Sequence, residues 1–173
     1  MEEADRVRVY LPATTTVLQR LLDEGRLEGP HTVFTVTPQL RDFYELSDDD
    51  EELEYAALLA AARASLRLMD VDPVAARRRV VLAADVPDTS VTPIEDEGAD
   101  AGAARTTADL TGETIASAHI DGAEAEADVR AAVAVVLEAD LGSEEAQFVV
   151  DQAEGHELAW YATQEIGPAI ELL

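Results

Sequence analysis

Residues 6–38 read RVRVYLPATTTVLQRLLDEGRLEGPHTVFTVTP, and the periodicities in this stretch set the expected fold. Arg6 to Leu11 alternates, with Val7, Val9 and Leu11 on one face, the pattern of a half-buried strand that Pro12 ends. Thr14 is placed to cap a helix whose apolar stripe is Val17, Leu18, Leu21 and Leu22, with Gly25 as its stop. Gly29-Pro30 marks a turn, and Thr32 to Val36, rich in β-branched residues, is a second strand. Thr37-Pro38 then opens another helix, to about Tyr44, with a cap followed by a proline in the first turn.

The acidic run Ser47 to Glu54 leads into the longest helix, Leu53 to Met69, which is apolar over much of its circumference and is expected to be largely covered. Glu52, Arg63, Arg67 and Asp70 share one stripe, expected to face solvent. Arg79 to Ala84 is a third strand, and its Val80-Val81-Leu82 run suits a central position with both faces buried. Thr114 to Ile120 is a further strand, and Asp121 with Glu124 resembles a capping box at the next helix, which buries Val129, Ala132, Val133, Val136 and Leu137. Ser143 caps a short helix, and the alternation of Leu158, Trp160 and Ala162 favours a last strand. Strands alternating with helices predict an α/β fold: a mixed, largely parallel sheet of about four to five strands flanked by helices. The chain reads as a single domain, 1–173, with a long, mobile acidic loop around 87–112.

Charge decides more about partners than about chemistry. Asp and Glu number 37 against 12 basic residues, a formal net charge of −25, and every basic residue is arginine. A basic face for phosphate-backbone binding is not to be expected, nor docking on an anionic membrane. Without cysteine there are no disulfides and no thiolate metal sites. No apolar run approaches the roughly 18 residues of a membrane span. The start, Met1-Glu2-Glu3-Ala4-Asp5, is acidic where a secretory signal is basic and then apolar, so a cytoplasmic setting is expected.

Several stretches together carry a family signature: Arg8-Val9-Tyr10-Leu11-Pro12-Ala13-Thr14, Phe34-Thr35-Val36-Thr37-Pro38, Leu53-Glu54-Tyr55-Ala56-Ala57 and Ala83-Ala84-Asp85-Val86-Pro87. Ala146-Gln147-Phe148 and the run His156 to Glu165 close it. With these the chain resembles an uncharacterised actinobacterial family, a domain of unknown function, over nearly its whole length. The resemblance implies an actinobacterial cytoplasmic protein and brings no activity, cofactor or catalytic residue.

Candidate site residues are few. His119 and Asp121 share a strand face by their spacing, and Asp151, Glu154, His156 and Glu157 cluster further on. Should His119 and His156 meet, then His119, Asp121, His156 and Glu157 make a two-histidine, two-carboxylate site for a divalent metal. The ordinary reading is a satisfied histidine beside a capping aspartate. The HExxH motif is absent, because Trp160 stands where its second histidine belongs. Consecutive acids at Asp48 to Glu52 lack the glycine of a calcium loop and read as a solvated helix start. On a strand Trp160 and Tyr161 point to opposite faces, so one is core and the other is exposed or an interface anchor, with core the ordinary reading for Trp160. Asp85 closes the third strand, where a parallel sheet places its sites, though a turn cap explains it equally well. Ser65 and Ser117 have no base partner visible in the sequence, and no nucleotide-binding glycine motif occurs, so no cofactor is expected.

The leading functional reading is therefore non-enzymatic: a protein-binding or adaptor module for a basic partner, nucleic-acid mimicry being a special case. The alternative is a small metal-assisted hydrolase or lyase using the histidine and carboxylate cluster. A third reading gives the charge a role in solubility alone.

Two like charges about 10 Å apart repel by roughly 0.4 kcal/mol in water, and physiological salt screens them beyond roughly 8 Å. Summed over a net charge of −25, this repulsion is a sizeable part of a stability of about 5–15 kcal/mol. Raising sodium chloride from low concentration to about half-molar should raise the melting temperature. An unchanged value would refute the argument.

Overall fold

The strand β1 (Arg6–Ala13) is the middle member of a seven-stranded sheet in the computed structural model, which describes residues 5–44 and 49–173. On one side of it lie β3 (His31–Phe34), β6 (Ala103–Thr106) and the edge strand β5 (Val91–Pro93). On the other lie β4 (Val80–Pro87), β8 (Ile115–Ile120) and the second edge, β9 (Ala159–Ala162). A separate two-stranded ribbon joins β2 (Arg26–Leu27) to β7 (Leu110–Thr111).

Every pairing in the sheet is antiparallel, which overturns the expected largely parallel sheet of four to five strands. Most elements form where the periodicity places them, but the strand directions differ, and Leu137, expected to be buried, is 53% exposed. After α1 (Thr15–Glu24) the chain comes back to the end of the sheet it left, so β3 starts beside the end of β1, with Tyr10 opposite Phe34. The connection through α2 (Pro38–Phe43) and α3 (Asp50–Asp70) does carry the chain between two strands that run the same way. These are β3 and β4, however, and β1 is inserted between them and pairs with both in the opposite sense. The last connection has two helices, α4 (Glu126–Asp140) and α5 (Glu144–Glu154), joined by a short loop. They take the chain out and back, so β9 lands antiparallel on β8. The stretch expected as an acidic loop around 87–112 builds the β5–β6 edge hairpin, and Ala103, Ala104 and Thr106 are buried there. Only 94–102 within that hairpin lacks regular structure.

Both sheet faces are covered. Val9, Leu11, Val80, Leu82 and Ile120 point to one side and meet Leu18 and Leu21 of α1, Leu27 and Leu110 of the ribbon, and Ile166 of α6 (Ile166–Glu171). Tyr10, Phe34, Val81 and Ala83 point to the other, beneath Leu53, Ala57 and Ala61 of α3. The far end of α3, through Leu66 and Met69, packs against Val129, Val133, Val136 and Val150 of α4 and α5. Three helix starts are capped as the sequence implies: Thr14 Oγ1 accepts from Val17 N, Thr37 Oγ1 from Leu40 N, and Ser143 Oγ from Ala146 N. Gly25 closes α1 at φ 78°, a conformation that costs glycine nothing. Pro12 does not end β1, which continues to Ala13 opposite Val80.

Two ionic joints hold these layers. Arg63 and Arg67 were expected to face solvent, but they reach across to α4 and α5. Arg67 Nε donates to Asp140 Oδ2 at 2.7 Å, and Arg63 binds both Asp140 and Glu154. The Arg67 hydrogen bond holds the Asp140 carboxyl below its ordinary value. The second joint is fully buried. Arg79, just before β4, and Asp121, just after β8, form a two-pronged ion pair, with Nε and Nη2 each donating at 2.8 Å. Asp121 Oδ2 also accepts from the Arg79 backbone N–H at 2.8 Å, so this carboxylate ties strand ends together and caps no helix.

Removing one partner of a buried pair leaves the other charge desolvated and alone, at a cost of about 3–5 kcal/mol. Asp121→Ala should lower unfolding stability by that much in urea titration. The double variant Arg79→Met/Asp121→Leu should lose markedly less.

Candidate functional site

Two recesses lie on opposite flanks of the N-terminal half of α3. The first, about 230 Å³, opens where the sheet runs out from beneath the helix toward β8 and β9. Strand alternation supplies its floor. In β1, Arg8 and Tyr10 are on the α3 face because Val9 and Leu11 are on the other. Register then brings Asp85 opposite Arg8, Ser117 opposite Ala83, and Trp160 opposite His119. The helix contributes Glu51, Glu54 and Tyr55 to the wall.

The floor is a hydrogen-bonded polar strip. Arg8 Nε and Nη2 donate to the two carboxylate oxygens of Asp85 at 2.7 and 3.0 Å. These bonds push the Arg8 guanidinium above its ordinary value. Ser117 Oγ lies 3.2 Å from His119 Nε2. Burial, with Arg8 adding to it, lowers the His119 imidazole, which is therefore neutral at pH 7. Burial also pushes the Tyr10 hydroxyl up, with the Glu54 charge adding to that. A neutral imidazole within reach of a serine hydroxyl can accept its proton. Among the described residues His119 makes no second side-chain hydrogen bond that would orient its other ring nitrogen, so the strip fits binding better than acyl transfer.

The second recess, about 560 Å³, lies between α2, α3 and residues 94–102. Leu40, Phe43, Tyr44 and Ile94 supply apolar surface, and Glu95, Asp96 and Asp100 line it with Arg63, Asp100 lying 3.6 Å from Arg67 Nη1. Phe43 is 72% exposed and meets Tyr44 edge to face at 5.0 Å between ring centres. Gln39, also on its wall, donates to Glu95 through Nε2, while its buried Oε1 has no hydrogen-bond partner among the described residues.

The residues singled out from the sequence have separate fates. His119 sits on the sheet face beside Ser117, whereas His156 Nε2 bonds Asp128 Oδ2 at 2.8 Å near the end of α5. Asp121 is committed to Arg79, and Glu157 precedes β9. His119, Asp121, His156 and Glu157 are thus not assembled around one point, and among the described residues no group of three or more His, Asp or Glu could hold a metal ion. Trp160 is 61% exposed instead of core, while Tyr161, on the opposite face, packs against the sheet's main apolar cluster. Asp85 is half-exposed as the partner of Arg8 and caps no turn. In the acidic run, Ser47 and Asp48 lie outside the described residues, Asp49 accepts from Glu51 N at 3.0 Å, and Asp50 pairs with Arg41.

These residues fall within a stretch that a family model, described as a family of unknown function (DUF6912), matches from residue 7 to residue 170. The chain belongs to DUF6912. No curated protein and no solved structure matches it. Within this DUF6912 chain, sequence reasoning missed Arg8, Tyr10, Glu54, Tyr55 and Ser117 as parts of one recess. A usable signal was present for Ser117, because Ser-x-His on a strand puts both side chains on one face. The others depend on which strand and helix become neighbours. No helix among the described residues is long and apolar enough to cross a membrane.

His119 gives the site a pH signature. Its folded value lies below the ordinary 6.5, which the unfolded chain retains. As pH falls below about 6.5 the unfolded state binds the proton first, so folding stability declines. Subtracting the stability–pH curve of His119→Gln from that of the wild type isolates this decline. A flat difference between about pH 6.5 and 5 would refute it.

Proposed function

We propose that this DUF6912 protein is a non-enzymatic, cytoplasmic binding module for a basic protein partner. The single observation that carries the reading is the apolar recess beside α2, with exposed Phe43 at its mouth and Glu95, Asp96 and Asp100 around it. Exposed aromatics within an acidic rim suit a cationic segment that also presents an apolar side chain: the ring is covered, and the carboxylates meet opposite charge. The net charge of −25 speeds encounter with such a partner at low salt. The absence of cysteine suits a reducing compartment.

A short synthetic peptide alternating lysine and leucine, with its glutamate-for-lysine counterpart as control, provides the test by calorimetry. Saturable binding of the cationic peptide alone is expected. It should weaken at least tenfold from low salt to about half-molar, and by a similar factor in Phe43→Ala, as truncation of an aromatic anchor does. Binding that ignores both salt and Phe43, or no binding at all, would overturn the reading.

A further inference from the structure

We infer that the smaller recess, between α3 and the β8–β9 side of the sheet, receives the guanidinium of an arginine side chain. The inference rests on the binding reading above only for the source of that arginine, the basic partner. Trp160 lines this recess. It is the only tryptophan of the chain, it stands on an edge strand, and it is 61% exposed. Tyr55, on α3, is 53% exposed and lines the same recess of about 230 Å³. Ring faces are electron-rich and attract cations, tryptophan most strongly.

Charge in the recess points the same way. Glu51 and Glu54 line it, and among the described residues neither takes part in an ion pair. Among the described residues the one lining cation is Arg8, held by both oxygens of Asp85. His119 is neutral, so it adds no opposing charge. The start of α3 contributes about half a positive charge, which Glu51 in its first turn outweighs. An incoming anion would meet Glu51 and Glu54, and an apolar ligand would strip water from carboxylates that gain nothing in return. A cation with a flat face satisfies both walls. Arginine meets that description better than lysine, since its planar guanidinium stacks on an indole while its edge forks onto a carboxylate. The volume is smaller than the roughly 300–1,000 Å³ of small-molecule pockets, which suits the end of one side chain.

Trp160 is itself the reporter. Its emission is titrated with a glycine-rich pentapeptide carrying one central arginine, and with the same peptide carrying neutral, near-isosteric citrulline. The expected result is a saturable change with arginine and none with citrulline. The double variant Glu51→Gln/Glu54→Gln should bind the arginine peptide about tenfold more weakly, a loss of about 1.4 kcal/mol. Both positions are on the surface near the start of α3, and a circular dichroism melt confirms that the variant folds. Phe43→Ala should leave the Trp160 response unchanged, so failure of the larger recess to bind its peptide is read separately. Equal responses to arginine and citrulline, no saturable response, or undiminished affinity in the double variant would each overturn the inference.

Discussion

The Arg79–Asp121 ion pair is the constraint on which the second half of the fold hangs. Its side chains are almost wholly sealed from solvent, at 1% and 0% exposure. Taking two charges out of water costs several kcal/mol per ion, so the pair persists because the remaining valences are filled. The guanidinium makes two bonds to the carboxylate, and Nη2 also donates to the His156 carbonyl at 2.9 Å. Asp121 N donates to the Arg79 carbonyl at 3.1 Å, closing a ring between the two strand ends. The His156 contact matters most for the site. It fixes where the chain emerges from the α4–α5 pair, hence where β9 begins, and hence that Trp160 falls opposite His119.

The arginines are deployed unevenly. Arg79 fastens strand ends, Arg63 and Arg67 fasten α3 to the outer helix pair, and Arg8 is locked to Asp85. These four cations sit at joints between elements, while Arg26, Arg41 and Arg130 stay more than half exposed. With 37 Asp and Glu against 12 arginines, the outer surface is still dominated by acid. Where exposed aromatic rings interrupt it, as at Phe43 and Trp160, the surface combines apolar area with negative potential.

Much of the local structure was legible. Thr14, Thr37 and Ser143 announced helix starts because a side-chain oxygen and a backbone N–H three residues on suffice to make a cap. Alternation at Trp160 to Ala162 announced a strand, since period two is a property of the strand alone. Strand direction was not legible, because alternation says which face a residue takes and nothing about the neighbour. The insertion of β1 between β3 and β4 is a fact about three distant segments. The same limit applied to the site. Asp121 reads as a cap from its neighbours, while its true partner is 42 residues away. His119 and His156 looked like candidates to meet, but Asp128 and Ser117 claim them.

The sheet ends in strands of only three and four residues, β5 and β9, and β5 closes on Pro93. A flat, open border invites a foreign strand to add to it, whereas short borders, one of them ending in a residue that cannot donate, give it little to grip. Crowded copies of this acidic chain would also repel one another before such borders could meet. The molecule is thereby protected against fibre-like stacking without needing a covering segment.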